Sequence, residues 1–487
     1  MSARKTEPYD KKFACPQLLE ELEKRSILVD ETNGTKLPDY ALMHNWEAPI
    51  PQLVISPRSE WGVAETLRLI KHYKLDSVPL SVRSGGHGYF CGASCDGIMI
   101  NLAFMNHCEI NGNTLSLQTG CILSQIIDVL SKNKKAVPHG DCFGVGAGGH
   151  FLTAGWDFIL SRKQGLGCQQ VVGGTVVLWD GTVINVDKNS CPDVLWAMRG
   201  GAIAEIGIAT QIKLEVFDEP TTATWLRKSI SKEELRLCVE NAVFSKAIGF
   251  SGDVSLSFVM HGGTNDIDPV CLLVVYSLRS PEKTIDYLGE IIPELLPLLN
   301  DLSDWYTGSL LDMRMLPASD FVRKNPQVLG EMTAEKLHNN PRCYWETDLV
   351  QREMEDSYID TVSSWITAEG GDGILLDIYE KMQMIQDDKL SDRMYFLMVT
   401  GSESMKQKQT ETAMPLGYAM ARFEVHWNQQ EEAMSAKNFT RQIYEIIKKA
   451  QDCSISRPYR GDIWKASQKQ DSDLQIIFKK YNKRSFD

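Results

Sequence analysis

Glycine is concentrated at two places in this chain, and at both it invites another group to approach the backbone closely. Arg83-Ser84-Gly85-Gly86-His87-Gly88 follows the apolar run Val78–Val82, and Cys142-Phe143-Gly144-Val145-Gly146-Ala147-Gly148-Gly149-His150 comes about fifty residues later. A residue without Cβ lets a second backbone or a ligand lie directly on the chain. Each run also carries a nucleophile, His87 or Cys142. Arg83 and Ser84 add groups able to bind phosphate, and successive N–H groups of the turn face one concavity. Taken singly, His87 reads as a turn histidine bonded to the backbone and Cys142 as a buried inert thiol. Among N–H dipoles, a thiol is instead exposed and activated.

At 487 residues the chain is too long for one hydrophobic core, so two or more lobes are expected. A formal net charge of −13 argues against a nucleic-acid or anionic-membrane partner. The polar start, Met1 to Lys12, lacks the apolar core of a signal peptide, and no apolar run approaches the roughly 18 residues of a spanning helix. The expectation is a cytoplasmic protein, or a secreted one if a leader was removed. Twelve scattered cysteines read as reduced thiols rather than a disulfide framework. Cys91 and Cys95 with His87 and His107 have poor spacing for zinc, and no metal is expected.

From 47 to 218 the pattern is strand-rich. Leu53–Ser56, Val78–Val82 and Ile98–Leu102 read as strands, and Val63, Leu67 and Ile70 mark a helix. Asn111-Gly112 and Asp180-Gly181 mark hairpins. Helices are expected over 123–133 and 193–198, and a long strand over 206–217. Beyond Pro220, apolar strands (254–260, 271–277, 374–382, 394–400, 419–427) alternate with amphipathic helices over 281–299 and 353–366. This is an α+β layer, one antiparallel sheet with helices on a single face. The last segment, 431–487, reads as helical and then irregular.

The order and spacing of Val82-Arg-Ser-Gly-Gly-His87, His139-Gly-Asp-Cys142, Val145-Gly-Ala-Gly-Gly-His150, Leu160-Ser-Arg-Lys-Gln-Gly-Leu166, Leu195-Trp-Ala-Met-Arg-Gly-Gly201 and Gly207-Ile-Ala-Thr210 resemble the FAD-linked oxidases of the vanillyl-alcohol-oxidase superfamily, in the berberine-bridge-enzyme-like branch with bicovalent flavin. The resemblance runs from Trp46 to Phe217; over 220–430 only the layout corresponds. It implies a two-lobed PCMH-type FAD-binding fold of two small α/β subdomains, plus an α+β substrate domain. The implied division is an N-terminal extension over 1–46, the FAD-binding domain over 47–218, the substrate domain over 219–430, and a segment over 431–487 returning to the FAD domain. FAD would be bonded to His87 and Cys142. The rest of its site would be Arg83, Ser84, Gly85, Gly86, Gly88, Val145, Gly146, Gly148, Gly149, His150, Gly155, Gly207 and Ile208. Val145, the small form at the position that gates oxygen in this branch, points to an oxidase.

Two loops depart from the pattern. Ala202-Ile-Ala-Glu-Ile-Gly207 stands where the family has a glycine run, placing side chains and the Glu205 carboxylate near the cofactor, and Thr153-Ala-Gly-Trp-Asp157 replaces a second glycine-rich turn. The C-terminal Arg457-Pro-Tyr459 only loosely matches the family's active-site tyrosine segment. For the catalytic base, Ala421-Arg-Phe-Glu-Val-His-Trp427 alternates so that Arg422, Glu424 and His426 share one face. Glu424 or His426 would take a proton as hydride leaves, with Tyr459 a rival and Glu346 a poorer one. The implied reaction is oxidation of a small-molecule alcohol, sugar or amine of secondary-metabolite type, with molecular oxygen giving hydrogen peroxide. The alternatives are a dehydrogenase with another acceptor, or a redox-silent binding protein on the same scaffold. A monomer or homodimer is expected.

Overall fold

The computed structural model describes residues 15–201, 203–262, 268–314, 357–385, 390, 393–402, 411–414, 416–453 and 472–481. Three main sheets organise them. The first has the strand order Leu28–Glu31, Leu53–Ser56, Ile98–Asn101, Leu80–Arg83, antiparallel at the first pairing and parallel at the other two. Helix Glu60–His72, capped by Ser59 accepting from the Gly62 N–H, lays Val63, Leu67 and Ile70 onto it. Helix Pro16–Lys24 adds Leu18 and Leu22 to the same core.

The second sheet is antiparallel, in the order Cys108–Asn111, Thr114–Gln118, Gly207–Glu215, Val171–Leu178, Val183–Asp187. Helices Leu123–Lys132, Ala147–Thr153 and Pro192–Met198 contribute to its core, as do Leu474, Ile477 and Phe478 of helix Ser472–Tyr481. The glycine run after Cys142 is therefore not loop throughout: from Ala147 it turns into a short helix.

The third sheet is antiparallel, in the order Trp305–Gly308, Ala223–Ile230, Val270–Ser277, Val254–His261, Met394–Thr400, Ala419–Trp427, Tyr358–Ile366. Helices including Val243–Ile248, Ala368–Gln383 and Ala433–Ile447 bury one of its faces in a large apolar core. Helix Ala433–Ile447 thus packs on this sheet, and among the described residues of 431–487 it is 472–481 that reaches the second.

Two expectations reverse here. The run 374–382 is part of helix Ala368–Gln383, capped by Thr367 onto the Gly370 N–H at 3.1 Å. Its buried Ile374, Leu375, Ile378, Tyr379 and Met382 recur at helical spacing, which a short apolar run conceals. The described part of 353–366 is a strand, Tyr358–Ile366, paired along its whole length with Ala419–Trp427. Its Ile359, Thr361, Val362, Trp365 and Ile366 are β-branched or aromatic residues that pack well in a sheet. Ala223–Ile230 and Trp305–Gly308 were not anticipated as strands. Among the described residues no helix is long and apolar enough to cross a membrane, and no group of three His, Cys, Asp or Glu side chains is placed to hold a metal ion.

Candidate active site

The two glycine runs touch. A Cβ on Gly85 would lie 2.4 Å from the Gly146 nitrogen, and one on Gly146 would lie 2.1 Å from the Gly85 nitrogen. The turns are packed backbone to backbone, which only a pair of glycines permits. Ser84 ties them further, its hydroxyl donating to the Thr119 carbonyl and accepting from the Gly148 N–H at 3.1 Å.

Arg83 closes the first turn from behind. Its Nε and Nη2 donate to the Leu42 carbonyl at 3.0 and 2.8 Å, Nη1 to Ser84 O and Asn101 Oδ1, and Nη2 to Gly85 O. Burial lowers the guanidinium to about 10. Arg83 and the Ser84 hydroxyl, expected to bind phosphate, both bond protein groups that shape the turn. Gly86, at φ +74°, sits where a Cβ would strike the Leu42 carbonyl.

The second turn hangs on the start of helix Leu123–Lys132. Leu123 N–H donates to Val145 O at 3.0 Å, Ser124 N–H to Phe143 O at 2.9 Å, and Ala147 N–H to Cys121 O at 2.8 Å. Cys142 and Gly149 are exposed, and nothing lies within 4 Å of a Cβ built on Gly149. Val145 is half-buried with its side chain against the core beneath. His150 turns inward, Nε2 accepting from the Gly140 N–H at 3.1 Å, and burial lowers it to about 4. Beside Cys142, burial and the nearby Asp157 push Asp141 up to about 7.

Gly155 and Gly207 are packed rather than open. Gly155 abuts Gly167, and the space above Gly207 is filled by the Val177 carbonyl, while Ile208 is core. What these positions offer is backbone, not surface. The unusual loop after Arg199 is a short turn, Ile203–Glu205, whose Ile203 and Ile206 plug the core and whose Ala204 carbonyl accepts from Trp179 Nε1 at 2.9 Å. Glu205 is exposed, and Ala202 lies outside the described residues.

Across from the turns stands strand Ala419–Trp427. Ala421, Phe423, Val425 and Trp427 are buried against the helices, and Arg422, Glu424 and His426 are half-buried on the other face. That face meets the first turn. The His87 ring stacks on His44 at 4.4 Å between centroids, and Tyr89 lies 5.7 Å from His87 and 6.1 Å from His426. Arg422 sits over the Tyr89 ring at 4.7 Å and donates to Glu424 Oε2 at 2.6 Å. His426 places Nε2 3.5 Å from Glu424 Oε1 and Nδ1 2.9 Å from the Ser357 hydroxyl.

Electrostatics separate these groups. Burial, then His44 and Arg422, hold His87 well below the ordinary imidazole range. Burial would raise Glu424, but Arg422 and His426 outweigh it and bring the carboxyl to about 2. Burial and Glu424 push the Tyr89 and Tyr395 phenols up. The site is an uncharged imidazole facing a fixed carboxylate. Glu424 and His426 are brought to His87; Tyr459 and Glu346 lie outside the described residues.

Sequence reasoning missed His44, Asn45, Tyr89 and Tyr395. Tyr89 was within reach, two residues past His87. Tyr395 pairs with Glu424 across the sheet, and His44 and Asn45 arrive from a segment with no motif. Asn45 is buried and binds Tyr89 O at 2.7 Å, Ile359 O at 3.0 Å and Ile359 N–H at 3.2 Å. It pins the His87 turn to the third sheet.

Residues 51–187 match the model of a family described as an FAD binding domain. The chain is 33% identical over 153 residues to a chitooligosaccharide oxidase of Gibberella zeae, covering 30% of this chain and 31% of that protein. It is 28% identical over 194 residues to berberine bridge enzyme-like 23 of Arabidopsis thaliana, covering 38% and 36%. The matched stretch thus spans about a third of these relatives' length. The fold agrees over far more: the structure of berberine bridge enzyme from Eschscholzia californica superposes with a TM-score of 0.71 at 19% identity, covering 94% of this chain and 88% of that one.

Proposed function

We propose that this chain, a berberine-bridge-enzyme-like member of the vanillyl-alcohol-oxidase superfamily of FAD-binding proteins, is an oxidase that takes hydride and a proton from a small alcohol, sugar or amine, with oxygen as the final acceptor and hydrogen peroxide as product. One observation carries the reading: the His87 turn, packed backbone to backbone on the Cys142 turn, meets the polar side of strand Ala419–Trp427, with Glu424 and His426 on it.

The residues fit the cofactor. Open backbone at Gly88 and Gly149 leaves room for a planar group, and His87 and Cys142 are an uncharged imidazole and an exposed thiol. These two would hold FAD covalently, with backbone of Ser84–Gly88 and Gly146–His150 along it. When bound, FAD supplies a two-electron acceptor for hydride. The proposal keeps 47–218 as the cofactor domain and 219–430 as the substrate domain.

Glu424, held at about 2, stays ionised and is too weak a base to act alone. We assign it to orienting His426 through Nε2 and stabilising the imidazolium, while Nδ1, which the Ser357 hydroxyl occupies here, accepts the proton from the substrate O–H or N–H in its place. Val145, three residues past Cys142, is kept as the proposed oxygen gate, although its side chain leans on the core beneath the turn. The oligosaccharide oxidases among the relatives favour sugar hydroxyls as the first substrates to test.

The test begins with acid precipitation of the purified protein. Yellow colour is expected in the pellet, on peptides containing His87 and Cys142; free flavin in the supernatant overturns the covalent attachment. A peroxide-coupled screen over sugars, benzylic alcohols and cyclic amines then seeks the substrate. His426→Ala should lower kcat roughly 10²–10⁴-fold with flavin content unchanged. Turnover with an artificial acceptor but without peroxide would replace the oxidase by a dehydrogenase.

A further inference from the structure

Two thiols lie beneath the Cys142 turn. Cys108 opens strand Cys108–Asn111, and Cys121 follows its hairpin partner, Thr114–Gln118. The Cys121 thiol donates to the carbonyl oxygen of His107, the residue before Cys108, at 3.4 Å, which sets its sulfur against the Cys108 backbone, and the Cys108 thiol donates to the Gln125 carbonyl at 3.9 Å. The two side chains are electrostatic neighbours. Cys108 is half-buried and Cys121 fully buried. Cys108 is thus the sulfur that a small oxidant can reach, with Cys121 behind it.

Cys121 also begins the segment that supports the Cys142 turn. Its carbonyl accepts from Ala147 N–H, Ile122 bridges Gly146, and Leu123 and Ser124 donate to Val145 and Phe143.

We propose that Cys108 and Cys121 are a peroxide-reactive dithiol that closes to a disulfide and stiffens the floor of the Cys142 turn. The Cys108 thiolate attacks one oxygen of hydrogen peroxide; the O–O bond breaks, the departing oxygen takes a proton and leaves as water, and Cys108 becomes a sulfenic acid. The Cys121 sulfur then attacks the Cys108 sulfur, the S–O bond breaks, and a second water leaves. Two thiols lose two electrons and one peroxide becomes two waters. The proposed oxidase reaction would generate this oxidant nearby, but the dithiol needs only that peroxide reach Cys108.

Added peroxide therefore tests the pair whatever the enzyme's activity. The full-length protein as purified is treated with hydrogen peroxide, remaining thiols are alkylated, and peptides are mapped without reduction. A Cys108–Cys121 cross-linked peptide is expected, reversed by dithiothreitol and absent in Cys108→Ser. Amides of Leu123, Ser124 and Ala147 should exchange about tenfold more slowly in the oxidised wild type. Both cysteines still alkylated, Cys108 carried to sulfinic acid beside a free Cys121, or Cys108 joined to another cysteine would each overturn the proposal. Unchanged exchange despite the cross-link would overturn its effect on the turn. The cross-link, its reversal and the exchange rates are all read on wild type, so a poorly folded Cys108→Ser does not decide the outcome.

Discussion

Glu424 combines two opposed influences, since burial disfavours its charge while Arg422 and His426 hold that charge in place. Its folded value of about 2 lies below the unfolded one of about 4.3, so the stabilisation it gives is complete above pH ~4.3 and is lost as pH falls toward 2. Glu424→Gln should remove this component. Denaturant unfolding from roughly pH 5 down to pH 2 is expected to show a shallower acid decline in the variant than in wild type. Equal slopes would mean that the carboxylate is not held as the geometry implies.

At the scale of elements, the glycine turns are the joint that the sequence announced most clearly. A methyl group at position 146 has nowhere to go, because it would meet the Gly85 backbone as well as the Ser84 hydroxyl. Gly146→Ala should cost about 1–3 kcal/mol of stability and lower flavin content, read by denaturant melts and by the ratio of flavin to protein absorbance. Retained flavin with wild-type stability would deny the backbone contact. The turns were legible because glycine beside a nucleophile is a local signal, and the alternation of 421–427 told which side chains share a face. What faces that strand was not legible. His44 and Asn45 reach the site through tertiary packing alone. The run 374–382 was misread because a short apolar stretch suits a buried strand and a helix face equally. A guanidinium near a glycine turn suggests a phosphate, but the carbonyls of Leu42, Ser84 and Gly85 accept from Arg83, and no local pattern announces that.

Across the whole molecule, two buried guanidiniums join the cofactor-side sheets to the third sheet. Arg314, after the strand Trp305–Gly308, reaches beneath the Cys142 turn to pair with Asp157 at 2.7 Å and to donate to the His139 ring. Arg314→Met would strand Asp157 in a dry site, and a loss of about 3–5 kcal/mol is expected. Asp157→Asn in the same background should recover part of it, as read by urea unfolding. No recovery would place the cost elsewhere than the ion pair. The second guanidinium, Arg162, donates to the carbonyls of Thr400, Gly401, Ala247, Ile248 and Phe250 and to the Thr400 hydroxyl. Those acceptors lie at the ends of separate elements of the large sheet and its helices, and they present oxygens only when that layer is assembled. Grafting a foreign sheet-and-helix layer onto the first two sheets would leave a cation facing hydrocarbon unless the graft carried an equivalent ring of oxygens. The seam is thus a compatibility test that any chimaera joining these sheets to a foreign layer has to pass.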